Sequence, residues 1–249
     1  MSNDHFRSAV LRYIPVLILV SILWGVHLYQ WHYGISFAQF GNFPRDLSGL
    51  KGVVLMHFIH ADFEHLISNS IPLLVLGGAL TYFYPTLYKR VFLLVMLAGG
   101  FWLWLGGRPS YHIGASGLVY GLSSFLFFSG FFRRDLRLIA LSLLVVFLYG
   151  GMVWGVFPLV RQISWEGHLF GGLAGALLAW VYRNDGPQRK RYLWEVEEED
   201  DSPETGEEYW NQDLNAPNSP QNVPPGRPGR IMYIYKKQKP GQPPKDEKD

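Results

Sequence analysis

The sequence contains no cysteine, which excludes disulfide staples, cysteine nucleophiles and thiolate metal sites. Charge is also scarce over most of its length. Up to Arg183 there are 12 basic and 6 acidic side chains, far below the quarter of residues that a soluble domain spends on charge. No Asp or Glu falls inside a long apolar run, which argues against a proton-coupled pump and a cation channel. A formal net charge of +2 gives no reason to expect nucleic acid as a partner. No internal repeat is visible, direct or inverted. From Asn184 onward the character reverses: this stretch holds 10 of the 16 prolines, 10 basic and 14 acidic side chains, and almost no apolar run.

Apolar sequence is what the first part has in abundance. A bilayer core of about 30 Å needs about 20 helical residues, and six runs come near that length. They are Tyr13 to Tyr29, Leu66 to Tyr84, Val91 to Gly107, Ser116 to Phe132, Leu136 to Trp154 and His168 to Tyr182. The first lacks a small-residue cleavage site, and Trp24, His27 and Trp31 stand where one would be expected, so it reads as a retained helix. These runs predict an all-α, six-helix membrane domain over residues 13–183, between a cytoplasmic N-terminal segment, 1–12, and a cytoplasmic tail, 184–249. Basic residues gather on one side of the runs: Arg7, Arg12, Lys89, Arg90, Arg133, Arg134, Arg137, Arg183 and the stub Arg189 to Arg191. The other side receives only Arg45, Lys51, Arg108 and Arg161. Because basic loops resist translocation, both termini are expected in the cytoplasm. The long connection from Trp31 to Glu64 then lies outside, as a partly ordered, membrane-dipping loop.

The tail, with its acidic run from Glu195 to Asp201, cannot bury enough apolar surface to offset ordering entropy and is expected to be mostly disordered. Its basic stub suits an anionic lipid surface. Pro225 and Pro228 sketch a P-x-x-P that also reads as a solvated linker, and Ile231 to Tyr235 is its one apolar island.

Two runs are short at the same end. Ser116 to Phe132 would make about 25 Å of helix and His168 to Tyr182 about 22 Å, each fixed at its inner end by arginine. Their outer ends are therefore expected below the surface, and the residues there are Ser116 and His168. A serine and a histidine held together under the surface fit a nucleophile and its base. An N-cap serine and an interfacial histidine fit the same positions. Glycine favours the first reading: Gly114 and Gly117 flank the serine, and His168, Gly171 and Gly175 share one helix face suited to close helix contact. Tyr120, one turn after Ser116, suits either stacking on the imidazole or plain bundle packing. His65 and Asn69 share a face at the outer boundary and can aim two donors at an oxyanion. His57, His60 and His65 do not fall on one helical face, so no metal site is expected. A third, orienting carboxylate is missing unless Glu166 supplies it, which favours a dyad.

Taken together, these residues resemble the rhomboid family of intramembrane serine proteases. The likeness consists of H-x4-H-x3-N at His60, His65 and Asn69, G-x-S-G at Gly114 to Gly117, and H-x2-G-x3-G at His168, Gly171 and Gly175, in the family's order. It spans roughly Pro44 to Arg183. The resemblance implies a six-helix bundle with Ser116 as nucleophile and His168 as general base. The oxyanion would be held by His65, Asn69 and the Ser116 N–H, with Tyr120 packed on the histidine. It further implies membrane-protein substrates with an unstable transmembrane helix, often cut after a small residue, and no cofactor or metal. The chain departs from the family where many members carry a Trp-Arg pair in the first external loop and this one has Pro44 and Arg45. Gly167 also stands where alanine often precedes the histidine. The alternative reading is a catalytically inactive relative that binds transmembrane helices for trafficking or degradation, though such relatives typically lack the serine or the histidine and both are present here; a small-molecule transporter is a third. With no transit peptide, the expected location is a bacterial cytoplasmic membrane.

Overall fold

The structure is a computed structural model that describes residues 3–149, 154–158 and 164–186. The tail expected from residue 187 onward, with its basic stub, acidic run and apolar island, lies outside the described residues.

Seven helices carry the described chain: α1, Asn3–Tyr33; α2, Gly52–Leu55; α3, Phe63–Phe83; α4, Tyr88–Gly106; α5, Ser116–Arg133; α6, Leu136–Tyr149; and α7, Trp165–Val181. Among these residues there is no strand, only an isolated antiparallel bridge between Asn42 and His112. Leu11–Tyr33, Phe63–Phe83 and Tyr88–Gly106 are long and apolar enough to cross a membrane.

Several ends differ from the hydropathy reading, for local reasons. Helix α3 begins at Phe63 rather than Leu66 because the Asp62 carboxylate caps it, accepting the His65 N–H at 2.8 Å. Helix α7 begins at Trp165 rather than His168 because Ser164 caps it, accepting the Gly167 N–H at 3.3 Å, and Glu166 puts negative charge in the first turn. Helix α5 starts where expected, at Ser116, and stops where Arg134 turns left-handed at φ 51°. Helix α1 runs longer than its apolar core and carries Pro15, and α3 carries Pro72. Trp154, expected as the end of the fifth run, lies in a short 3-10 turn at 154–156.

Helix α5 is the hub, packing most extensively on α7 and also on α6, α4 and α3, while α1 packs on α3. Its contact with α7 is backbone on backbone. A Cβ placed on Gly171 would lie 2.0 Å from the Gly117 carbonyl oxygen, and one on Gly175 would lie 2.0 Å from that of Gly121. Gly99 of α4 brings a third backbone to the same spot, its Cβ position 3.2 Å from the Gly171 Cα. Such approach is available only to residues without side chains, and in lipid it supplies the van der Waals contact that drives association. The end of the pair away from Ser116 is fastened by Arg133, which is 6% exposed. Its Nε donates to Ser129 Oγ at 2.9 Å and its terminal nitrogen donates to the Tyr182 carbonyl at 2.6 Å. Its guanidinium lies 5.3 Å from the centre of the Tyr84 ring.

The first loop is held by the side chains of Asn42 and Trp104 and by the Arg45 main chain. Asn42, fully buried, donates from Nδ2 to the Gly100 carbonyl at 2.7 Å, and Trp104 Nε1 donates to the Asp46 carbonyl at 2.8 Å. The Arg45 N–H donates to the Trp104 carbonyl at 2.9 Å.

The glycine contact makes a sharp prediction. Gly171→Ala and Gly175→Ala each force α5 and α7 apart and are expected to cost about 1 to 3 kcal/mol, the usual scale of overpacking. Gly172→Ala, which meets nothing within 4 Å, is expected to be neutral. Thermal unfolding in detergent measures all three, and equal midpoints would contradict the contact.

Candidate active site

Two helix starts and one cap converge on a cavity of about 870 Å³ whose lining includes His65, Asn69, Ser116, Tyr120, Ser164 and His168. Ser116 is the first residue of α5, with Ala115 rather than the serine as its N-cap. Its hydroxyl is therefore free for other work, and its N–H is one of the donors that a helix start leaves without an internal partner. His168 sits one turn inside α7, not at its first residue.

The two meet: His168 Nε2 lies 2.8 Å from Ser116 Oγ. The other ring nitrogen, Nδ1, lies 2.9 Å from the Gly155 carbonyl oxygen. A carbonyl only accepts, so Nδ1 carries the proton and Nε2 is the bare nitrogen that accepts from the serine hydroxyl. The Tyr120 ring stacks on the imidazole, with centroids 4.1 Å apart and planes 7° from parallel. The orienting carboxylate considered for Glu166 is not there. Its Oε1 lies 3.3 Å from Arg108 Nε, and the group that orients His168 is a backbone carbonyl.

The oxyanion candidates line the same cavity. Asn69 is 4% exposed, and its Nδ2 has no hydrogen-bond partner among the described residues. His65, one turn earlier on α3, faces the serine turn so closely that a Cβ on Gly114 would lie 2.5 Å from His65 Nε2. Gly114 has φ +107°, a left-handed conformation that side chains disfavour, so both space and dihedral require glycine there. Gly117, Gly171 and Gly175 lie in the α5–α7 contact rather than in the cavity lining.

Sequence reasoning missed Gly155, whose carbonyl has no sequence signature, and the cluster of Arg108, His112, Ser164 and Glu166. A capping serine four residues before the histidine is the signal that could have pointed to Ser164.

The Rhomboid domain family matches residues 48–185, more than half of the chain. The chain belongs to the rhomboid family. Among similar proteins, an uncharacterized protein of Mycobacterium tuberculosis is 36% identical over 184 residues, covering 70% of this chain and 76% of that protein. An uncharacterized protein of Mycobacterium leprae is 36% identical over 151 residues, covering 57% of this chain and 59% of that protein. A Bacillus subtilis protein named "Putative rhomboid protease YdcA" is 31% identical over 131 residues, covering 49% of this chain and 62% of that protein. Rhomboid membership and the three long apolar helices make this an integral membrane protein with bacterial relatives.

Beneath the site, the loop before α3 carries two buried histidines, His57 and His60, each 2% exposed. His57 Nε2 donates to the Met96 carbonyl at 3.4 Å, and the Ala115 N–H donates to His60 Nε2 at 3.5 Å. Burial pushes His57 down to about 4; burial, with the neighbouring histidines, pushes His60 down to about 3. In the unfolded chain both return to about 6.5. The unfolded state therefore takes up protons first as pH falls, so the stability these neutral rings confer is complete above about 6.5 and is lost toward the folded values. The thermal midpoint of this rhomboid in detergent is expected to fall steadily between about pH 7 and pH 4. A midpoint that holds constant or rises across that window would contradict it.

Proposed function

We propose that this rhomboid is an intramembrane serine endopeptidase working through a Ser116–His168 dyad. The observation that carries the reading is the 2.8 Å contact between Ser116 Oγ and a His168 Nε2 left bare by the Nδ1 bond to Gly155. As the Ser116 oxygen attacks the carbonyl carbon of the scissile peptide, Nε2 takes its proton. The proton then passes to the leaving amine, and an acyl-enzyme remains. Water, deprotonated by the same nitrogen, hydrolyses the ester and restores the serine. Negative charge on the tetrahedral oxygen is met by Asn69 Nδ2, His65 and the Ser116 N–H at the start of α5. Tyr120 keeps the imidazole plane fixed. No metal or organic cofactor enters the scheme.

The substrates are membrane proteins whose transmembrane helix frays easily enough to offer an extended peptide to the cavity. In this reading residues 13–183 form six spans in a bacterial cytoplasmic membrane, with residues 1–12 and the solvated tail, 184–249, in the cytoplasm. The gathering of arginine at the inner ends of the runs supports that orientation.

The test is cleavage of a single-span reporter by the purified protein. Wild type is expected to cut it, and Ser116→Ala and His168→Ala are expected to fall to background. Asn69→Ala is expected to lose about 100- to 1000-fold in kcat, the scale for one oxyanion donor. A fluorophosphonate is expected to label wild type and not Ser116→Ala. Cleavage retained by either dyad variant would overturn the assignment.

A further inference from the structure

His112 stands between the two halves of the dyad, and the reading above leaves it without a role. It is 3% exposed and belongs to the connection between α4 and α5. Its main chain forms both bonds of the bridge to the first loop: its N–H donates to the Asn42 carbonyl at 2.8 Å, and the Asn42 N–H donates to its carbonyl at 2.9 Å. Two residues on, the Gly114 N–H donates to the Met56 carbonyl at 2.8 Å, so the turn that delivers Ser116 is held from the same loop.

Its ring reaches the other way. Nδ1 lies 2.6 Å from Ser164 Oγ, and Nε2 lies 3.1 Å from the Arg108 carbonyl oxygen and 3.4 Å from Ser110 Oγ. The carbonyl fixes the tautomer. Nε2 carries the proton and donates, so Nδ1 is bare and accepts the Ser164 O–H. Ser164 Oγ in turn accepts the Gly167 N–H, one residue before His168. Each donor has an acceptor, and the series runs from the serine turn to the first turn of α7. The Arg108–Glu166 ion pair joins the same two segments alongside it.

We infer that His112 is a positioning residue: its neutral ring ties the Ser116 turn to the start of α7 through Ser164, and so sets the separation of Ser116 Oγ and His168 Nε2. The inference rests on the protease reading for its catalytic consequence but not for the tie itself. The charged groups facing the ring are Arg108 and Glu166. Burial holds its pKa below the ordinary histidine value, with the Arg108 carbonyl and Glu166 opposing, so the neutral form required here is the one present at neutral pH.

The experiment uses the full chain in nanodiscs, with reporter kinetics and 15N-histidine NMR on wild type, His112→Ala, Ser164→Ala, the double variant and His112→Asn. A displacement of about 1 Å at a reacting pair costs about 100-fold. His112→Ala and Ser164→Ala are each expected to lower kcat about 10- to 100-fold with KM within about twofold, and the double variant is expected to be no worse than either. His112→Asn, which keeps an acceptor near the Nδ1 position, is expected to recover most of the rate. In the spectra, the His112 ring is expected as the Nε2–H tautomer, and Ser164→Ala is expected to move the His168 ring signals. If His112→Ala does not fold, Ser164→Ala decides by the same two readouts. Wild type that cleaves while Ser164→Ala changes neither kcat nor the His168 signals would overturn the tie and leave the protease reading standing. Wild type that cleaves nothing while Ser164→Ala still moves the His168 signals would overturn the protease reading and leave the tie standing.

Discussion

Contact between the α5 and α7 backbones is the constraint from which the rest of the site follows. Gly171 and Gly175 seat on the carbonyls of Gly117 and Gly121 with no room for even a methyl group. The separation of the two helix axes is then set by main-chain atoms rather than by side chains with rotamers to choose from. Ser116 lies one residue before Gly117, and His168 lies three before Gly171. The approach of their helix starts, within which the two side chains meet, is inherited from the helix contact. At the far end of the same pair, Arg133 bonds Ser129 on its own helix and the Tyr182 carbonyl just beyond α7. Fastening both ends limits the sliding that would pull the two side chains apart.

Around this pair, loops do what helices cannot. Helix α5 starts abruptly at the serine because Gly114 turns the chain left-handed, and that turn leaves space for His65. The first loop reaches the same turn through Asn42, which bonds the Gly100 carbonyl of α4 with its side chain and His112 with its main chain. Three segments far apart in sequence therefore bear on one short stretch of chain before Ser116. The Asn42 linkages run to main-chain partners, its Nδ2 to the Gly100 carbonyl and its peptide group to His112, as buried polar groups in an apolar bundle require.

Much of this was legible in the sequence. Apolar runs located α3, α4, α5 and α7 to within about three residues, because hydropathy reports apolar burial, but α1 begins ten residues before its run and the short α2 has none. Hydropathy does not report caps, so the extra turns that Asp62 and Ser164 add to α3 and α7 were missed. The pairing of Ser116 with His168 could be expected because glycine at i+3 and i+7 from the histidine marks a face built for close approach. Stacking of Tyr120 could be framed only as one of two options, since helical spacing gives a direction and not a partner. Gly155 was illegible for a deeper reason: every residue carries the same carbonyl, and only the folded path of the chain selects one. The departure at Pro44 and Arg45 left the anchoring of the first loop open, and the structure supplies it through Asn42 and Trp104, side chains with no family signature to announce them.

That the imidazole is steered by a peptide carbonyl has a bearing on how the site can exist at all. An ionised aspartate in a poorly hydrated setting would carry a desolvation penalty of several kcal/mol, and would demand a cation or several donors to hold it. A peptide dipole selects the same tautomer with no net charge and no titration of its own. In the proposed reaction the imidazolium at His168 would face the partial charge of that carbonyl directly, with the Glu166 carboxylate nearby but paired to Arg108. The carbonyl thus orients His168 without bringing formal charge to the ring, in an environment where formal charge is the scarcest resource.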